Sequence, residues 1–231
     1  MISKNKYPYV KNSIIEKESL KLLNTFFKNK EFKAPIPVFD IIEFLGYNIE
    51  FKKNGIYSDN SILGGLRVKD KIIEINENIS NQEGRVHFTA AHELGHIILH
   101  ANLHTQENQK NKQLKMDFCR NFDNSNKYKK ELIEIQADNF AAFLLMPSSL
   151  VKKTFFSILN KPLNVRKRNI FEIIFSKSLF KKAFGISNEI IEKGNFENVS
   201  KMAMMNRLIG MKLIKGMKFL TVDDYKKRRN Q

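Results

Sequence analysis

The stretch of sequence that decides the fold reads FTAAHELGHIILH and spans residues 88–100. His92 and His96 are four residues apart, so on a helix they share one face and are separated by about 6 Å of rise. Two imidazoles at this spacing can bind one metal ion, and Glu93 then lies beside the ion, where it can take a proton from bound water. Apolar residues on both sides of the motif favour a buried helix that lines a site over two histidines on a solvated surface.

A catalytic zinc site needs a third protein ligand, with water in the fourth position. A metzincin would have Gly and His where this chain has Leu99 and Asn102, so that class is excluded. His100 lies about 12 Å of rise from His92, which is too far for one ion to bind all three histidines. We therefore expect a structural or substrate-facing role for His100.

A second helix, predicted over residues 129–146, offers the missing ligand. Glu134 and Asp138 are four residues apart and share one face of that helix. One carboxylate can bind zinc while the other accepts the ring N–H of a ligand histidine. Glu134 is favoured as the ligand over Glu131 and Asp138, because only Glu134 has a second carboxylate one turn further on. Asp138 then orients a ligand histidine.

The remaining patterns predict an α+β protein that is mostly helical, with a small antiparallel sheet. Helices are expected at 13–30 and 38–45, strands at 48–51, 62–68 and 71–75, and a long polar loop at 102–130. The strand at 71–75 is expected to offer an edge to which an extended substrate adds. The metal helix is expected to begin near Ser80 or Asn81, because Ser80 and Glu83 have capping-box spacing.

Composition indicates an ordinary globular protein: 231 residues, of which 42% are hydrophobic and 28% are charged. Cys119 is the single cysteine, so no internal disulfide can form. Residues 1–12 lack the apolar segment of a signal peptide, and no apolar run approaches the length of a membrane span. We therefore expect a soluble, cytoplasmic protein with no membrane contact.

The chain is strongly basic, with a net charge of +16. This charge is compatible with direct contact to a nucleic acid or with an acidic protein partner, and a coding bias toward Lys, Asn, Ile and Phe is the alternative explanation. The C-terminal part contains four basic clusters: Lys152-Lys153, Arg166-Lys167-Arg168, Lys181-Lys182 and Lys226-Lys227-Arg228-Arg229. We therefore divide the chain into a peptidase domain at 1–147 and a basic, helical C-terminal region at 148–231.

Residues 88–100 resemble the signature of the ImmA/IrrE family of metallopeptidases. A second signature of that family, an acidic residue followed by Ala, Asn or Asp, Phe-Ala-Ala and Leu-Leu-Met-Pro, is matched by Glu134 to Pro147. A third, weaker match to a V-S-x-x-A-x-x-x-R-L helix lies at 199–208. Residues 148–195 depart from the family's pattern, because they are longer and more basic than the resemblance predicts.

The resemblance implies a zincin-like fold and a site similar to that of gluzincins such as thermolysin. One Zn²⁺ per chain would be held by His92, His96 and Glu134, and Glu93 would be the general base. The implied substrate is an intracellular helix-turn-helix repressor, encoded nearby on a mobile element or a stress-response locus, whose cleavage relieves repression.

The group that stabilises the oxyanion is not apparent from the sequence. Weak candidates for contact with the oxyanion or the substrate are Arg85, His87, His100, His104 and Tyr128. Two rival functions are a non-catalytic DNA-binding regulator and a toxin–antitoxin-like component that acts by complex formation. The intact Glu93 counts against both, because a binding module needs no base beside the metal.

Overall fold

A computed structural model describes residues 8–56, 59–107, 118–121, 132–165 and 179–220. Seven helices lie in these ranges: α1 (Asn12–Phe26), α2 (Val38–Phe44), α3 (Glu83–Glu107), α4 (Leu132–Leu145), α5 (Ser148–Ile158), α6 (Leu179–Gly194) and α7 (Lys201–Gly210). The strands are β1 (Asn48–Lys52), β2 (Ile62–Arg67), β3 (Ile72–Asn76), β4 (Phe118–Asn121), β5 (Leu163–Asn164) and β6 (Ile214–Lys215). The predicted α+β, mostly helical class is confirmed.

The larger sheet has the order β1-β3-β2-β4 and is mixed, not wholly antiparallel as predicted. β2 and β3 form the expected antiparallel hairpin, and β4 pairs antiparallel with β2. β1 pairs parallel with β3, because the chain reverses once before β2 and again in the hairpin. β3 therefore lies inside the sheet, and the prediction that residues 71–75 offer a free edge is wrong.

Several predicted boundaries also differ from the structure. α1 ends at Phe26, and Lys28 and Asn29 then take left-handed backbone conformations that a helix cannot continue through. α3 begins at Glu83, because a short 3-10 turn occupies Glu77–Ile79 and the Gln82 carbonyl accepts the first helical hydrogen bonds. The segment predicted as a polar loop contains the last turns of α3 and all of β4.

The chain divides into two compact units, one of Met1–Phe32 with Pro37–Leu145 and the other of Lys33–Ile36 with Met146–Gln231. In the first unit, α4 packs against both α3 and α1, and α3 also packs against the sheet. The apolar face of α4 is wholly buried in this layer through Ala137, Phe140, Ala141 and Leu144. α3 and α4, which carry the predicted metal ligands, are therefore neighbours in one core.

The second unit packs α6 against α5 and α7, and joins β5 and β6 in a short parallel pair. Its core includes Val151, Phe155 and Phe196, all fully buried. Ser200 caps α7 by accepting a hydrogen bond from the Ala203 backbone N–H. The division of the sequence into functional domains at 1–147 and 148–231 remains a prediction.

Candidate metal centre

Three histidines of α3, namely His92, His96 and His100, line one buried face of that helix. His92 and His96 are fully buried and His100 is 1% exposed. Four-residue spacing places the three rings one above the other, with ring centroids 4.8 Å apart for His92 and His96 and 5.1 Å apart for His96 and His100. Polar rings that are withdrawn from water in this way require partners inside the protein.

Those partners come from α4, which approaches α3 closely at Gly95. A side chain at Gly95 would place its Cβ 3.1 Å from the Ala137 Cα and 3.2 Å from the Ala137 carbonyl oxygen. Gly95 and the small Ala137 thus allow the two backbones to pass at short range. This close approach sets Glu134 and Asp138 opposite the histidine face.

His92, His96 and Glu134 converge on one point. The two histidine Nε2 atoms are 3.1 Å apart, and each lies 3.2 Å from a different oxygen of Glu134. Ligand atoms about 2.0–2.2 Å from a tetrahedral zinc ion lie roughly 3.3–3.6 Å from one another. The spacing and the chemistry of these donors therefore fit a divalent metal ion.

Asp138 supports this arrangement from behind His92. Its Oδ1 lies 2.9 Å from His92 Nδ1. A carboxylate accepts, so His92 donates its Nδ1–H to Asp138. When the ring is neutral, as metal binding requires, its Nε2 has a lone pair that faces Glu134 and His96.

The pKa values of His92, His96 and Glu134 depend on one another, because the three side chains lie in contact. Burial alone would lower the pKa of His92, but hydrogen bonds with Asp138 and Glu134 outweigh that effect and raise the pKa to about 9. Burial lowers the pKa of His96 to about 4, against the opposing effect of the Glu134 carboxylate 3.2 Å away. Burial would raise the pKa of Glu134, but its close contacts with both histidines hold it well below its usual value. A proton on His92 thus neutralises part of the cluster's negative charge, and a metal ion would replace it.

Glu93 is fully buried at the side of the site that faces the sheet. A Cβ added at Gly64 of β2 would lie 2.9 Å from Glu93 Oε1 and would clash with the Thr89 side chain. The absence of a side chain at Gly64 therefore gives the Glu93 carboxylate its space.

His100 lies next to His96 and away from Glu134. Its Nδ1 is 3.1 Å from His96 Nδ1, and its Nε2 is 2.9 Å from Gln136 Oε1. Gln136 is almost fully buried on α4 and was not among the residues predicted from the sequence. No local pattern marked Gln136 as functional, because α4 also carries Glu134, Asp138 and Asn139 as polar residues.

Of the other weak candidates, His87 lies outside the cluster. His87 Nδ1 bonds to the Glu83 carbonyl, 3.0 Å away, and its ring packs on Phe39. Arg85 lies seven residues before His92, about 10 Å of rise along α3. The backbone of His104 belongs to α3, but its side chain is not described, and Tyr128 and Glu131 fall outside the described residues.

A comparison with models of known protein families agrees with these features of the site. A family model described as the IrrE N-terminal-like domain, Peptidase_M78, matches residues 52–194, more than half of the chain. The chain belongs to this family. The predicted ImmA/IrrE resemblance is thereby confirmed, and the protein is a peptidase of the metallopeptidase type. No curated protein matches the chain significantly.

The extent of the family match differs from the predicted resemblance. It begins within β1 and continues to Gly194, through the basic segment where we expected a departure from the family's pattern. It does not include the weaker motif at 199–208. None of the described helices is both long and apolar enough to cross a membrane.

Proposed function

We propose that the protein is a zinc-dependent endopeptidase that cleaves a DNA-binding repressor. The observation that carries this proposal is the convergence of His92, His96 and Glu134, whose donor atoms lie 3.1–3.2 Å apart. Two imidazole nitrogens and one carboxylate form the ligand set of a catalytic zinc, which keeps a further position open. When bound, zinc would lower the pKa of a water molecule and polarise the peptide carbonyl.

Glu93 is the proposed general base, because its carboxylate follows a ligand histidine directly and is shielded from bulk water. It takes one proton from the attacking water, whose oxygen bonds to the carbonyl carbon. The C–N bond then breaks, and Glu93 returns the proton to the leaving nitrogen. Glu93 thus ends the cycle ionised, ready for another turnover.

Asp138 is the proposed orienting partner of His92. By accepting the Nδ1–H at 2.9 Å, it holds the ring in the tautomer whose Nε2 can bind a metal. Such partners of metal ligands typically change metal affinity by about 10–100-fold when they are replaced.

The substrate class rests on family membership together with the charge of the chain. A net charge of +16 suits a partner that is bound to DNA or that presents an acidic face. We propose that this charge raises the rate of encounter and that the cleaved bond lies in a flexible segment of the repressor.

The proposal is tested with the purified chain and the repressor encoded beside its gene. Zinc-loaded wild-type protein is expected to cut the repressor at one bond, and removal of zinc by a chelator should stop the reaction. Glu93→Gln should bind zinc and fold normally but lose cleavage, because only the base is removed. His87→Gln, on the same helix but outside the cluster, is the matched control and should cleave normally.

The outcomes separate the rival functions. Equal cleavage by Glu93→Gln would contradict the role of Glu93 as base. A repressor that is bound tightly but never cut, with zinc present, would instead favour a regulator that acts by complex formation.

A further inference from the structure

A chain of hydrogen bonds leads from His96 out of the metal cluster to the N-terminal segment. His96 Nδ1 lies 3.1 Å from His100 Nδ1, and His100 Nε2 lies 2.9 Å from Gln136 Oε1. Gln136 Nε2 in turn lies 3.0 Å from the backbone carbonyl oxygen of Pro8. His96, His100 and Gln136 are all at least 98% buried, so solvent does not replace these contacts.

The last member of the chain determines its direction. A backbone carbonyl can only accept, so the Gln136 amide nitrogen must face Pro8 and the amide oxygen must face His100. His100 therefore donates its Nε2–H to Gln136. A neutral imidazole has one N–H, so His100 Nδ1 accepts, and His96 must donate its Nδ1–H. The result is a His96 ring whose Nε2 has a lone pair directed at His92 and Glu134.

We propose that His100 and Gln136 are positioning residues that select the metal-binding tautomer of His96. This inference rests on the proposed metal site, but it concerns how one ligand is prepared. The two ligand histidines would then be oriented differently: His92 by the carboxylate of Asp138, and His96 by a relay of uncharged groups. An uncharged relay fixes the ring without adding another carboxylate to a buried site that already contains Glu93, Glu134 and Asp138.

Breaking the relay has a defined consequence. If Gln136 cannot accept, the Nε2–H of His100 loses its 2.9 Å hydrogen bond to the amide oxygen. The preference of the His100 proton for Nε2 is then weakened, and the proton can move to Nδ1. His96 Nδ1 must then accept, which moves the His96 proton to Nε2, the position that the metal needs. Zinc affinity should fall by about 10–100-fold, the usual range for a lost partner of a metal ligand, while three ligands remain and the stoichiometry stays at one.

The test uses Gln136→Met in the full chain, since methionine is similar in size but offers no comparable acceptor. Nitrogen NMR of the metal-free protein at neutral pH should show wild-type His96 protonated at Nδ1, and the variant protonated in part or mainly at Nε2. Zinc competition should show the loss of affinity. The matched control is Asn139→Ala, which removes another hydrogen bond from α4 to the N-terminal segment, to Asn12, without touching the histidines.

A second pair of variants keeps the test decisive if Gln136→Met does not fold. His100→Asn places a carbonyl oxygen near the position of Nδ1 and should preserve the wild-type tautomer of His96, whereas His100→Leu should not. A folded Gln136→Met or His100→Leu with the wild-type tautomer would overturn the inference. A wild-type chain that shows this tautomer but binds no zinc would overturn the proposed function and leave the inference standing.

Discussion

The buried polar side chains of the second unit and those on the buried face of α3 in the first unit have different partners. In the second unit they bond to backbone carbonyls: Ser187 to Ala183, Asn198 to Ile36, and Arg207 to Met146. In the first unit, the buried face of α3 meets other titratable side chains instead, at 2.9–3.2 Å. Burial costs each group its hydration in both regions, but only in the first are lone pairs gathered around one point.

This difference separates a structural role from a chemical one. A carbonyl partner satisfies a buried donor and gathers no lone pairs around a common point. Two imidazole nitrogens and a carboxylate that face one another need a proton or a cation between them. The helix pair α3–α4 is therefore where we expect a metal, and the second unit is where we expect buried polar groups to affect stability alone.

The largest expected effect comes from removing a ligand. His92→Ala and His96→Ala should each abolish stoichiometric zinc binding, and Glu134→Ala should weaken it strongly, because each leaves only two donors. Metal analysis of the purified variants checks this prediction. His87→Ala and Glu131→Ala are the matched controls and should bind one zinc ion each. Zinc loss in Glu131→Ala would instead identify Glu131 as the third ligand.

A glycine in each region gives a second contrast. Gly95→Ala should cost about 1–3 kcal/mol through overpacking against Ala137, and should also weaken zinc binding by pushing Glu134 away from the histidines. Gly185→Ala in α6 meets nothing within 4 Å. It should leave zinc binding unchanged and stabilise the protein by roughly 0.5–1 kcal/mol, since alanine favours helix. Denaturant unfolding and zinc titration of the two variants test the contrast, which fails if both respond alike.

Removing a buried donor from the second unit should affect stability only. Asn198→Ala leaves the Ile36 carbonyl without its 2.8 Å hydrogen bond, at a cost of about 1–3 kcal/mol. Zinc affinity of the folded variant should equal that of the wild type. A large drop in affinity, measured well below the unfolding transition, would show that the two regions are not distinct in role.

The smallest expected effect concerns the basic cluster Arg166-Lys167-Arg168, which lies outside the described residues. Neutralising all three should slow cleavage of the natural repressor several-fold at low salt, because exposed charges steer encounter. Zinc content and cleavage of a short unstructured peptide should not change. An unaltered rate on the repressor at low salt would argue that the cluster is simply a solvated surface.

Local patterns predicted the elements that carry the chemistry. The spacing of His92 and His96, and of Glu134 and Asp138, already placed each pair on one helical face, because helix periodicity alone determines that. The β2–β3 hairpin was predicted for a similar reason, since its strands are adjacent in sequence and joined by a short turn.

Long-range pairing explains what the sequence could not show. β1 pairs in parallel with β3, and β4 pairs with β2 across more than 50 residues. The local sequence pattern of a strand predicts neither of these pairings. The bond from Gln136 to Pro8 spans 128 positions. The local sequence does not distinguish Gly95 from other helical glycines, because its role depends on Ala137, which lies against it in the folded chain. The relay behind His96 could therefore be found only once the helices were placed together.

Anomalous diffraction at the zinc edge shows whether α3 and α4 together hold one catalytic zinc. In crystals of the zinc-loaded protein, we expect a single strong peak about 2.0–2.2 Å from His92 Nε2, His96 Nε2 and a Glu134 oxygen. Asp138 should stay on His92 Nδ1 and leave the ion untouched. A peak bound by His100 or Asp138, or no peak between the two helices, would rule out the proposed zinc site.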